Sequence, residues 1–373
     1  MSYHKLVVVK IGTSSLTDES GVLSYLKLNK IVDQIAKIKQ DGYMIILVTS
    51  GAIAAGYTRL GFKKRPTTIA GKQAAAAVGQ ALLMEEYNKA FNDHSIVTAQ
   101  ILLTKDDFKD KRRYQNARRS LEVLLNHKVI PIINENDSVS IDELKFGDND
   151  RLSAQVAAMV HANMLILATD IDGLYTKDPK IDPNAHLIKS VDKITPDIKA
   201  LAQGSKSKNG TGGMSTKIIA AKIATTAGVF TFICNSNTED ILIKAVHKNA
   251  VGTSFLPING INTRKQWLAY HALSKGKLII DHGAKIALCE NGKSLLPIGI
   301  KHIEGSFVKK DVVEVYLENY DQLLGKGIIN FDAEKLRTMI GLPTNTIQQN
   351  EDNSSKTVVI HHNNWISNLS EDL

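Results

Sequence analysis

Five short runs in the first part of the chain, at residues 6–11, 44–48, 129–133, 165–168 and 229–233, are apolar almost throughout and rich in β-branched side chains. A strand that is apolar on both faces must be covered on both, which a sheet with one wet face does not require, so these runs predict a mostly parallel sheet. Helix-period segments lie between them, at 28–40, 71–91, 117–126, 151–161 and 215–227. Strand and helix alternate, and the expected architecture is an α/β fold, an αβα sandwich with helices on both faces of the sheet.

The pattern changes near residue 255. Pro257, Asn259, Gly260 and Asn262 form a turn-rich joint, a helical stretch is expected at 264–273, and short runs with close turns follow at 277–281, 285–288, 295–298, 312–317 and 326–330. These predict a small, mostly β domain. The polar stretch 348–356 has almost nothing to bury and is expected to be an exposed loop. The expected division is a first domain over 1–258, a linker over 259–275, a β domain over 276–356 and a tail over 357–373. Length agrees, since 373 residues exceed what one core usually organises.

Composition removes several function classes. Hydrophobic residues at 43% and charged residues at 23% fit a globular chain rather than a disordered one. No apolar run approaches the ~20 residues that span a bilayer, and the N-terminus enters a strand directly, so no membrane partner and a cytoplasmic location are expected. Cys234 and Cys289 have no CxxC neighbour and read as small buried apolar residues. A net charge of +8 favours anionic ligands without choosing among nucleotides, acidic metabolites and nucleic acid. The densest basic stretch, Lys109, Lys111, Arg112, Arg113, Arg118 and Arg119, is interleaved with acids and reads as a solvated helix face. His361 and His362 read as an exposed pair rather than as ligands.

Glycine and polar residues gather where the expected strands end, which is where open α/β sheets collect ligands. Lys10-Ile11-Gly12-Thr13-Ser14-Ser15 closes the first run with a lysine that is costly to bury unless it meets an anion; a phosphate or a path to water would each satisfy it. Thr49-Ser50-Gly51-Ala52-Ile53 joins a strand to a helix, as an ordinary capped turn or as an anion site at the helix start. Asn134-Glu135-Asn136-Asp137 and Phe146-Gly147-Asp148-Asn149-Asp150 hold more short acids and amides than one turn and one cap need. They suit a cationic amine, and a carboxylate among them can orient lysines. Gly210-Thr211-Gly212-Gly213-Met214-Ser215-Thr216-Lys217 exposes backbone N–H groups and brings a lysine one turn into a helix. The physics is that of a phosphate loop, although the GxxxxGK[ST] spelling is absent.

Together these residues resemble the amino acid kinase family. The parts that carry the likeness are Val9-Lys10-Ile11-Gly12-Thr13-Ser14, Val48-Thr49-Ser50-Gly51-Ala52, Pro131 to Asp137, Lys145 to Asp150, Thr169-Asp170-Ile171-Asp172-Gly173-Leu174-Tyr175, and Gly210 to Lys217, in that order. The β domain, with residues 276–284, Gly292-Lys293-Ser294-Leu295-Leu296-Pro297 and Gly327-Ile328-Ile329-Asn330-Phe331, looks like a PUA domain, a module also found in RNA-modifying enzymes. The sequence departs at Ser138, where threonine or alanine is common, and at Cys234-Asn235, where small residues and glycine are usual.

The resemblance implies the family's fold and, within the family, the branch that phosphorylates the side-chain carboxylate of L-glutamate with ATP at the head of proline biosynthesis. It implies that Lys10 and Lys217 flank the transferring phosphoryl group and that Asp150 holds both. Ser50, Gly51, Asn134, Asp137 and Asn149 match the amino acid site, with Asp137 suited to the α-amino group. Lys10, Gly12, Thr169, Asp170, Thr211, Gly212, Gly213, Met214, Ser215, Thr216 and Lys217 match the ATP site. Mg2+ would be carried mainly by the ATP phosphates, so no protein-only metal site is expected. Feedback inhibition by proline and a homo-oligomer, dimer or tetramer, are implied as well. The rivals are another kinase of the same fold, acting on aspartate, carbamate or a nucleotide, and an RNA-binding factor acting through the β domain.

Overall fold

A computed structural model describes residues 5–139, 149–179, 181–203, 213–258, 274–319, 322–342 and 357–367. Residues 140–148, with Phe146, Gly147 and Asp148, lie outside the described residues, as do Gly210, Thr211 and Gly212, the expected helix at 264–273 and the polar loop at 348–356. The chain divides near residue 261 into two compact units, with Phe108–Lys111 grouped with the second.

The first unit is built on strands β1 (Leu6–Ile11), β2 (Met44–Val48), β3 (Thr98–Leu103), β4 (Ile130–Glu135), β5 (Met164–Thr169), β6 (Ser190–Val191), β7 (Phe230–Asn235) and β8 (Thr253–Phe255). They form one sheet in the order β3-β4-β2-β1-β5-β7-β8-β6. Every neighbouring pair from β3 to β7 is parallel, and β8 turns antiparallel against β7. The helices are α1 (Tyr25–Gln40), α2 (Ala52–Gly56), α3 (Ile69–Asn92), α4 (Lys105–Lys109), α5 (Lys111–Asn126), α6 (Asn149–Met159), α7 (Pro196–Gln203), α8 (Met214–Thr226) and α9 (Ile241–Val246). The expected sandwich is thus the observed one. β4 and β7 run past their apolar text because Asn134, Glu135, Cys234 and Asn235 continue the ladders. β3 escaped the sequence reading: it is an edge strand whose side chains are buried fully only at Leu103, and only the three apolar residues Ile101-Leu102-Leu103 mark it.

β1, β4 and β5 are buried at every residue. Each large apolar side chain so buried contributes about 1.5–3 kcal/mol, which is why a parallel sheet tolerates no polar residue there without a use for it. Val7, Val9 and Ile11 join the core that Leu28, Ile31 and Ile35 of α1, Leu83 and Tyr87 of α3, and Ile241 of α9 make on one face. Side chains alternate along a strand, so Leu6, Val8 and Lys10 face the other layer. There α6 packs against β1 and against α8. Since β2 lies on one side of β1 and β5 on the other, a crevice opens beyond the carboxyl end of β1, between strands whose connections diverge.

Along α5, Tyr114, Leu121 and Leu125 are buried while Arg112, Arg113 and Arg119 are exposed, and Arg113 and Arg118 pair with Asp107 and Glu122, each at 2.7 Å. The basic stretch is a solvated face laced with ion pairs. Cys234 is buried as expected, whereas Cys289 is only half-buried.

The second unit is a five-stranded sheet of β9 (Gly276–Ile280), β10 (Ile300–Gly305), β11 (Val312–Leu317), β12 (Leu323–Ile329) and β13 (Ile360–Ser367) in the order β10-β9-β11-β12-β13. Two expected strands are absent. Residues 285–288 belong to a helical turn, His282–Lys285, and the wide π-type turn Ile286–Glu290 that follows it, because Asp281 Oδ1 accepts the Ala284 N–H at 2.8 Å and starts a helix. Residues 295–298 make one bridge, Leu295 to Ile360, before Pro297, which has no N–H to continue a ladder, opens a 3₁₀ turn. The stretch expected to be a tail carries β13, which pairs antiparallel with β12 and buries Trp365 and Ile366; Ile360, Trp365 and the core cluster tie it into the unit. Its four polar residues, His361 to Asn364, hid it in the sequence. His361 and His362 lie side by side on that strand with their rings tilted by 32° and ring centroids 4.2 Å apart.

Candidate active site

The carboxyl ends of β1 and the N-termini of α6 and α8 meet at one carboxylate. Lys10 Nζ lies 2.5 Å from Asp150 Oδ1, and Lys217 Nζ lies 3.1 Å from Asp150 Oδ2. Thr216 Oγ1 donates to the same Oδ2 at 2.9 Å. Residues far apart in the chain thus share one acid, and all three charges are buried: Lys10 is 7% exposed, Asp150 1% and Lys217 5%. Burial by itself pushes the Asp150 carboxyl up, but the ammonium groups of Lys10 and Lys217 outweigh it and hold the carboxyl well below the usual carboxylate range. Two ammonium groups against one carboxylate leave a positive excess in a low-dielectric place, a demand for an anion that the cluster itself does not supply.

The residues around this cluster fall into two groups. Toward β5, Thr169 Oγ1 donates to Asp170 Oδ1 at 3.0 Å, and Gly12 N–H reaches Ala168 O at 3.4 Å. Asn235 Nδ2 and Tyr175 Oη donate to the two oxygens of Asp172, at 3.0 and 2.9 Å, and fix the loop after β5. Gly213 caps α8 in an extended conformation; Met214 is buried in the core and Ser215 is exposed on the first turn. Thr211 and Gly212, expected here, lie outside the described residues.

Toward β2 and β4 a cavity of about 320 Å³ opens, and Ser50, Gly51, Asn134, Asp137 and Asn149 all line it, together with Thr13, Arg65, Thr67, Lys72 and Glu135. Gly51 caps α2 with φ of +101°, a left-handed conformation that a side chain would strain. Asn149 Nδ2 donates toward Thr49 O at 2.7 Å, Asn134 Oδ1 at 2.9 Å and Ser50 Oγ at 3.0 Å, so the ends of β2 and β4 and the start of α6 are stitched together. Burial pushes the Asp137 carboxyl up to about 6, with the Arg65 guanidinium opposing it.

Arg65, Thr67, Lys72 and Gln80 were not singled out in the sequence. Arg65 and Lys72 are surface-type residues, and nothing local places them on a cavity. Gln80 carried a signal: it is the one amide in the buried stripe of α3, among Ala76, Gly79, Leu83 and Tyr87. α3 reaches the site because Gly79 and Gly56 let it touch α2 backbone to backbone; a Cβ on Gly79 would collide with Ala52 O.

Comparison with known proteins shows the family. The model of the amino acid kinase family matches residues 5–235, and the model of the PUA domain matches residues 276–349. The chain belongs to the amino acid kinase family. Relatives in that family include a glutamate 5-kinase of Streptococcus sanguinis (strain SK36), 50% identical over 97% of this chain and 96% of its own length. A glutamate 5-kinase of Streptococcus suis (strain 05ZYH33) is 49% identical over 97% of this chain and 99% of its own, and one of Streptococcus pneumoniae (strain 70585) is 51% identical over 98% and 96%.

Proposed function

We propose that this chain transfers the terminal phosphoryl group of ATP to the side-chain carboxylate of L-glutamate, giving L-glutamyl 5-phosphate, the first step of proline biosynthesis. The observation that carries the reading is the Lys10–Asp150–Lys217 cluster, whose excess positive charge lies beside a cavity of amino acid size. Near-full-length identity of about half to glutamate 5-kinases selects the acceptor.

A carboxylate acceptor has an unperturbed pKa of about 4.3 and is already ionised, so no general base is needed. The task is to bring two anions in line and to neutralise the charge that develops on the moving phosphoryl group. Lys10 and Lys217 supply that charge from buried, fixed positions, and Asp150 sets their spacing. Asp137 and Asn149 hold the α-amino group, which turns the side-chain carboxylate toward the lysines. Thr169, Asp170 and the start of α8 take the nucleotide, and Mg2+ enters on its phosphates. Proline offers the same pair of charged groups as the backbone end of glutamate, so it is proposed to compete for the same cavity.

Hydroxylamine trapping tests the reading. With Mg2+ and ATP, glutamate is expected to yield the hydroxamate and aspartate to yield none. Product from aspartate or carbamate at rates matching glutamate would overturn the choice of substrate.

A further inference from the structure

Gln80 lies on α3, 9% exposed, and takes no part in the charge cluster. Its Oε1 accepts from Asn134 Nδ2 at 2.8 Å, and Asn134 Oδ1 in turn accepts from Asn149 Nδ2 at 2.9 Å. The direction of this amide chain is not arbitrary, although an amide's oxygen and nitrogen are nearly isosteric. The Glu135 backbone N–H, which can only donate, lies 2.9 Å from Asn134 Oδ1 and so requires an oxygen there. The Thr49 carbonyl, which can only accept, lies 2.7 Å from Asn149 Nδ2 and requires a nitrogen there. With both ends pinned, Asn149 Oδ1 is the acceptor left over. It is buried, on a residue that lines the cavity, with no hydrogen-bond partner among the described residues. Asn134 is 2% exposed, so its NH2 group also needs an acceptor inside the protein, and Gln80 provides one.

We infer that Gln80 is a positioning residue: by accepting from the buried Asn134 NH2 it holds Asn134, and through it Asn149, in the place that leaves Asn149 Oδ1 free to accept from the ligand's ammonium group. The inference rests on the proposed glutamate site and deepens it, because it makes the preference for a free amine a property of a side chain outside the cavity lining. Without that acceptor the buried Asn134 NH2 must shift to find a partner, since the Glu135 N–H and the Asn149 NH2 oppose its reversal, and the amine site would lose its geometry. The carboxylate of Asp137 would still attract a cation; what goes is the second, directional contact.

The test compares glutamate with glutarate, which has both carboxylates and no amine, in the full-length chain. Gln80→Met keeps length and volume but offers only a weak sulfur acceptor, and Gln80→Glu keeps oxygen acceptors. In Gln80→Met the KM for glutamate is expected to rise about tenfold, the scale of one well-made hydrogen bond, with kcat and the KM for ATP within about threefold. The preference for glutamate over glutarate should shrink by the same factor, which general loosening of the site would not produce. Gln80→Glu should keep the wild-type preference. An active wild type whose Gln80→Met variant retains its full preference overturns this inference alone, and so does a Gln80→Glu variant that loses the preference. A wild type that makes no hydroxamate from glutamate overturns the proposed function and this inference with it.

Discussion

Asp150→Asn keeps the shape of the side chain and removes the charge between Lys10 and Lys217. Both lysines are buried, so each loses its counter-ion in a place where water cannot replace it. Removing one partner of a buried ion pair costs about 3–5 kcal/mol, and a unit of this size loses about 2–4 °C in Tm per kcal/mol, which gives an expected fall of about 6–20 °C. Activity should fall further than stability suggests. An amide at this position can accept from one lysine but must turn its NH2 toward the other or toward Thr216, and a misplacement near 1 Å costs about 10²-fold in rate. The variant should also seek anions more strongly than the wild type, because phosphate can stand in for the lost carboxylate. Adding inorganic phosphate or ATP should therefore raise its Tm by more than it raises the wild type's; saturation to about 100 Kd is worth ~2.7 kcal/mol. Thermal unfolding with and without these anions, beside hydroxamate formation, reads all three effects. The pH dependence adds a check of sign: the folded carboxyl lies below its ordinary value, so its contribution is present at neutral pH and is lost as pH falls toward the folded pKa. Asp150→Asn should flatten that acid limb. A variant with wild-type Tm and turnover within about threefold would refute the view that this carboxylate organises the site.

Lys217→Ala is expected to lower kcat by ~10² or more with the far-UV circular dichroism unchanged, the scale of losing one preorganised charge contact; near-normal turnover would remove Lys217 from the chemistry. Asp137 should make glutamate binding pH-dependent: burial sets its carboxyl near 6, and protonation below that removes the attraction for an ammonium group. The KM for glutamate should then rise by up to about tenfold per unit as pH drops below 6, and the Asp137→Asn profile should be flat over the same range. Gly79→Ala forces a methyl group against the Ala52 carbonyl, so α3 must shift away from α2 at a cost of about 1–3 kcal/mol, seen as a lower Tm. Because Gln80 is the next residue, the KM for glutamate should rise in that variant as well; an unchanged Tm would argue against the close approach of the two helices.

The sandwich was legible because its signal is local. Apolar runs at a strand's length, interleaved with helix-period text, leave few ways to bury everything, and Lys10, Ser50 and Asn134 at or just past the ends of those runs, with Asp150 before a helix, already marked a candidate site. Less legible were elements whose burial is partial or whose caps override their apolar text. β3 shows half-buried side chains on a sheet edge, β13 hides behind four polar residues, and Asp281 turns an apparent strand into a helix. In each case the deciding energy is a contact with a distant partner strand or a single capping bond, which no window of neighbouring residues contains.

Sequence alone determined which residue types stand at the strand ends and that two lysines and an acid were available. The family resemblance implied that they meet, and only the folded chain shows how: the pairing of β1 with β5, the packing of α6 on α8 and the two-residue period of β1 bring two ammonium groups onto one carboxylate's two oxygens. The same holds for Gln80, whose place in the amide chain depends on a backbone contact between α2 and α3. Pattern is written in adjacent residues, whereas electrostatic balance and hydrogen-bond direction are properties of groups that become neighbours only after the core has closed.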